Sequence, residues 1–116
     1  MVKKIDFLSD FAKLEGARYY REVSIDGGFW QVLSDAGLLA FSNIAGFDET
    51  VFAFNFGKHE VTARITVDKD LCPVKMKFKD VSGAPQKTYT VDEVDGRNFV
   101  ALTLKPGYGA VLVKKG

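Results

Sequence analysis

Between Thr50 and Leu71 the chain reads TVFAFNFGKHEVTARITVDKDL, two runs that alternate apolar and polar positions around a short polar turn. In the second run Val61, Ala63, Ile65 and Val67 fall on one face, and Thr62, Arg64, Thr66 and Asp68 on the other. A period of two sends every second side chain into a core and leaves the rest in water, so both runs predict strands. The terminal LTLKPGYGAVLVKK continues in the same manner.

From Arg18 onward the whole chain reads as short strands punctuated by turns. Arg18 to Ser24 and Phe29 to Ser34 flank Asp26-Gly27-Gly28, a hairpin signal. Leu38 to Ile44 and Val51 to Phe56 are separated by GFDE, and Val61 to Val67 and Val74 to Asp80 by DKDLCP. Thr88 to Val94 and Phe99 to Leu104 flank Asp95-Gly96, a second hairpin signal, and Ala110 to Lys114 closes the series. About eight to nine antiparallel strands at this spacing imply an all-β fold, a Greek-key β-sandwich.

The only helical signal comes first. Ile5, Phe7, Leu8, Phe11, Ala12 and Leu14 recur at helical spacing, with Gly16 as a C-terminal stop. One domain over residues 1–116 is expected, with a helix over 3–15 and the sandwich over 17–116. At ~100° per residue the six apolar side chains cover about half of the helical wheel, more than one sandwich face needs. Ile5, Phe7, Leu8 and Phe11 are therefore candidate docking residues, for a partner domain or for self-association through the helix.

Composition changes this picture little. The 116 residues suffice for one domain with its own core, and 47% hydrophobic and 27% charged residues are ordinary for a globular chain. A net charge of +1 gives no global reason to expect nucleic acid or an anionic membrane as partner. MVKKIDFLSDF lacks a continuous apolar h-region and a cleavage site, so no signal peptide is read there. No apolar run approaches the roughly 20 residues of a membrane span. The single cysteine, Cys72, forms no internal disulfide and leaves the compartment open.

Candidate chemistry is sparse. His59 is the only histidine and sits in the turn GKHE, where a solvated side chain is expected rather than a metal ligand. Asp68 and Asp70 flank Lys69, but the glycine and distal glutamate of a calcium loop are missing. With one histidine and one cysteine, no nucleophile triad can be assembled, and Cys72 reads as a small buried filler. Gly107 and Gly109 in KPGYG open a strand rather than a helix, so they are turn residues and not a phosphate cradle. No metal, cofactor or catalytic residue is expected.

Two features have the makings of ligand surfaces. Lys75, Lys77 and Lys79 alternate with Val74, Met76 and Phe78. A sheet edge guarded by lysines is the favoured account, with an anion patch as the alternative. The second feature is the aromatic set Tyr19, Tyr20, Trp30, Tyr89 and Tyr108, because flat rings with polar tips hold sugars. Alternation places about half of such rings in the core. Trp30, Tyr89 and Tyr108 are the candidate carbohydrate contacts.

The stretches LEGARYYREVSIDG, GLLAFSN, TVFAFNFGKHEVTARITVDKDLCP and VALTLKPGYGAVLV, in that order, resemble the C-terminal all-β domain of α-amylase-family glycoside hydrolases. In that family the first stretch resembles the exit from the last barrel helix, the third the central hairpin and the fourth the final pair of strands. The resemblance implies a non-catalytic accessory domain that packs on a catalytic (β/α)8 barrel and stabilises it, with weak contact to α-glucan. The family's catalytic carboxylates lie on barrel strands and have no counterpart here. Glycoside hydrolysis needs two carboxylates flanking the scissile bond, so the chain by itself is expected to be inert. An independent carbohydrate-binding module is the alternative.

Overall fold

The computed structural model describes residues 2–3, 17–32, 37–82 and 86–115. Its strands are β1 (Val2–Lys3), β2 (Ala17–Tyr20), β3 (Val23–Ile25), β4 (Trp30–Gln31), β5 (Leu38–Ala45), β6 (Asp48–Asn55), β7 (Val61–Thr66), β8 (Lys77–Asp80), β9 (Thr88–Thr90), β10 (Asp92–Val94), β11 (Arg97–Leu104) and β12 (Tyr108–Lys114). They form two antiparallel sheets. The larger runs β2-β5-β6-β12-β8-β9, with β1 against β12, and the smaller runs β10-β11-β7-β3-β4.

One core joins the two sheets. The smaller sheet supplies Val23, Val61, Ala63, Ile65, Val100, Leu102 and Leu104; the larger supplies Leu38, Ala40, Val51, Ala53, Phe78, Ala110 and Leu112. The face predicted from alternation is the buried one, since Val61, Ala63, Ile65 and Val67 are all in this core. Each fully buried valine, leucine, isoleucine or phenylalanine side chain contributes about 1.5–3 kcal/mol through removal of apolar surface from water.

Over β5 and β6 the other face of the larger sheet is apolar too. Phe41, Phe52 and Phe54 alternate with the core positions yet are themselves buried, with Leu39 and Val111 packed against them. The Phe41 and Phe52 rings, cross-strand partners on β5 and β6, stack with centroids 5.4 Å apart.

Both hairpin signals form as predicted. Asp26 and Gly27 turn β3 into β4 with φ of 49° and 77°, and Asp95 and Gly96 turn β10 into β11 with 52° and 74°. Consecutive positive φ is what a twisted two-residue hairpin demands, and Asp-Gly supplies it at low cost.

Several boundaries differ from expectation. The expected strands Arg18 to Ser24 and Thr88 to Val94 are each two strands in different sheets: β2 and β3 part at Arg21–Glu22, and β9 and β10 part at Val91. Val91 is buried where the chain changes sheets, accepting from the Lys75 amide and donating to the Met76 carbonyl. The strand expected from Val74 begins only at Lys77. Pro73 closes a turn by accepting from the Met76 amide, and Lys75 has φ 79°. Lys3, expected in the helix, is paired with Tyr108 in β1. The remaining helix positions, with Ile5, Phe7, Leu8 and Phe11, lie outside the described residues.

Candidate functional site

The three rings expected to contact carbohydrate do not converge. Trp30 is half-buried on β4 of the smaller sheet. Two guanidinium groups lie over its ring, Arg64 at 4.9 Å and Arg97 at 5.1 Å, and Phe99 meets it edge-on at 6.2 Å. Such cation–π contacts use the ring faces that a sugar would stack on. Arg64 is steadied by donating to the Ser24 hydroxyl at 2.9 Å, and Ser24 in turn donates to the Gly28 carbonyl. Arg97 pairs with Glu22 at 3.2 Å.

Tyr89 and Tyr108 belong to the larger sheet. Tyr89 is the cross-strand partner of Phe78 and packs half-buried against the core. Burial first, then the negative charge of Asp80, pushes its phenol above the usual tyrosine range. Tyr108 starts β12 beside Lys3 and is exposed. Phe78 is level with Lys114 on β12, so Tyr89 and Tyr108 are six positions apart along the strand direction, about 20 Å at strand rise.

The two most exposed rings among the described residues are elsewhere. Phe29 is 92% exposed beside the first hairpin turn, and Phe47 is 83% exposed in the β5–β6 turn. Phe29 is the first residue of an expected strand that begins only at Trp30, and Phe47 lies in the GFDE turn, where alternation gives no direction. His59 is exposed in the β6–β7 turn, and its carbonyl accepts from the Asn55 side chain. Asp68 Oδ1 accepts from the amides of Asp70 and Leu71, a local turn bond rather than a metal claw.

A densely connected carboxylate is Glu49, 2% exposed at the start of β6. One oxygen accepts from the Ser42 hydroxyl and lies 3.0 Å from the Arg21 guanidinium. The other accepts from the Asp68 amide at 2.8 Å and from the Cys72 thiol at 3.5 Å. Glu49 thereby ties β5 and β6 to the β2–β3 crossing and to the β7–β8 loop. Cys72 is buried, as a filler should be. Burial and the adjacent Glu49 carboxylate push its thiol far above the usual cysteine range, which removes the thiolate that nucleophilic or redox work requires.

Asn55 plays a similar part at the other end of β6. Fully buried, its side chain donates to the carbonyls of His59 and Leu104 and accepts from the Gly57 amide. These bonds fix the Phe56–Glu60 turn against β11. Sequence alternation gives no warning of either buried polar residue, because both occupy regular strand positions.

No family model matches the sequence, and no curated protein matches it. Among solved structures, the α-amylase of Geobacillus thermoleovorans, crystallised with acarbose, shares the fold with TM-score 0.54 and 14% identity. The match covers 83% of this chain and 18% of the amylase, so the chain spans less than a fifth of that enzyme's length. At this identity the likeness is one of fold.

Proposed function

We propose that the chain is a non-catalytic sandwich domain of an α-amylase-type glycoside hydrolase, placed C-terminal to the catalytic barrel and packed on it. The observation that carries this is the fold match over most of the chain to a domain-sized fraction of an α-amylase. The motif order that resembles such C-terminal domains supports it independently of the superposition. On this account Ile5, Phe7, Leu8 and Phe11 belong to the approach from the barrel, and the domain's work is to cover apolar surface and stabilise the enzyme.

The same account gives the chain no hydrolytic role. The buried carboxylate Glu49 is neutralised by Arg21 and saturated by hydrogen bonds. An acid and nucleophile pair for a retaining mechanism stands about 5–5.5 Å apart across a substrate cleft, whereas both Glu49 oxygens are engaged by Arg21, Ser42, the Asp68 amide and Cys72. The guanidinium groups over Trp30 weigh against a free carbohydrate-binding module built on that ring.

Incubation of the isolated chain with starch, maltooligosaccharides and aryl glucosides tests the non-catalytic part. No turnover above buffer is expected. Turnover that co-purifies with the chain and is abolished by mutating one of its own carboxylates would overturn it.

A further inference from the structure

Lys75, Lys77 and Lys79 were expected to guard a sheet edge. The structure removes that explanation, because β8 lies inside the larger sheet with β12 on one side and β9 on the other. Phe78 between the lysines is in the core, so Lys77 and Lys79 stand on the opposite face. The neighbouring strand adds a third cation. The Lys115 amide donates to the Lys77 carbonyl at 2.8 Å, which sets Lys115 beside Lys77. Three positions beyond the core residue Leu112, its side chain falls on the same face as the other two.

Like charges directly opposite on paired strands destabilise a sheet. Among the described residues none of these three lysines makes an ion pair. On the far side β9 faces them with Thr88 and Thr90 only. Next to them lies an open depression of about 380 Å³ lined by Asp48, Glu49, Thr50, Val113 and Lys114. The Glu49 carboxylate is turned inward to Arg21 and Ser42, which leaves Asp48, Thr50 and Lys114 as the other polar residues lining the depression.

We propose that this face binds a phosphorylated sugar. Lys77, Lys79 and Lys115 hold the phosphate, and Asp48 and Thr50 in the adjoining depression hydrogen-bond the sugar hydroxyls. Neighbouring positions on the sheet lie about 5–7 Å apart, and flexible lysine stems bring three ammonium groups onto one tetrahedral oxyanion. A phosphate monoester with a charge of about −1.5 to −2 would offset the crowding of Lys77 and Lys115, which make no ion pair among the described residues. The proposal stands on the lysine register and is independent of the amylase-type assignment.

The test is an amide-resolved nuclear magnetic resonance titration of the whole chain at low ionic strength. The probes are inorganic phosphate, glucose 6-phosphate, glucose, and sodium chloride matched in ionic strength. Saturable shifts confined to Lys77, Lys79, Lys115 and the depression are expected with both phosphates, at least about fivefold tighter for the sugar phosphate. The double variant K77Q/K115Q should weaken both by about tenfold or more. In the absence of phosphate that variant should melt higher than the parent chain, since a like-charge pair has been removed. Equal affinity for the two phosphates would overturn the sugar part. Shifts that chloride reproduces, or that spread equally to Lys58, Lys69 and Lys105, would overturn the site itself.

Discussion

Truncating Glu49 to alanine takes the acceptor away from Ser42, the Asp68 amide and Cys72, and leaves the Arg21 guanidinium without its carboxylate. Breaking a buried pair in this way costs about 3–5 kcal/mol. Urea unfolding of Glu49→Ala should show that loss as a lower midpoint. A loss below about 1 kcal/mol would make the pair no stronger than a surface ion pair. Cys72 adds a pH dependence with a definite sign. Its folded-state thiol titrates well above the unfolded value of about 8.5. The unfolded chain therefore ionises first as pH rises, so the stability due to Cys72 is complete below that value and declines above it. Stability curves of the parent and Cys72→Ala should diverge only above about pH 8.5, with the parent falling more steeply. A native thiol that reacts with a disulfide reagent as fast as free cysteine would contradict the burial. At this scale the sequence was partly legible. Cys72 reads as filler from its isolation, whereas Glu49 looks like a turn carboxylate in GFDET, and nothing local announces the Arg21 that reaches it from 28 positions earlier.

The alternation in β7 and β11 was legible because one face of each strand is core and the other is solvent. β6 was less so, since Phe52 and Phe54 on its second face are as buried as Val51 and Ala53 on the first. The sheet changes at Arg21–Glu22 and at Val91 were not legible at all. A period of two continues unbroken through a crossing, so it cannot say which sheet a segment joins. Close backbone approach is equally silent. Gly37 has φ 84°, and a Cβ there would lie 2.7 Å from the Gly57 amide nitrogen, in a place pinned by the Phe56 amide donating to the Gly37 carbonyl. Gly37→Ala should therefore lose more than about 1 kcal/mol in thermal or urea unfolding, and a neutral result would mean that β5 and the Phe56–Glu60 turn part easily. The helical periodicity of the N-terminal segment carries an element-scale prediction of its own. In sequence, Ile5, Leu8 and Ala12 lie about 100° of arc or more from Phe7 and Leu14. Of Phe7→Asp and Leu8→Asp, one should loosen the fold and the other should reduce self-association while leaving it intact, as read by sedimentation against concentration. Equal destabilisation of a strict monomer would remove the docking role.

For the whole molecule, the all-β class and the two hairpins came from local pattern, while the pairing of β12 between β6 and β8 is a long-range property that pattern does not hold. The predicted carbohydrate contacts divide between two sheets, with Trp30 covered by Arg64 and Arg97. Maltoheptaose should accordingly leave the fluorescence of the single tryptophan almost unchanged. Tight binding that survives Trp30→Ala would favour an independent carbohydrate-binding module through other residues. Membership in a larger enzyme is tested most directly by size and activity together. An antibody raised against this chain is used to blot its native source after electrophoresis, with a starch zymogram of the same lanes. The domain account predicts recognition of a polypeptide several times larger than 12.8 kDa that coincides with a band of starch clearing. Recognition of a 12.8 kDa species alone, with no clearing at any antibody-positive band, would contradict it.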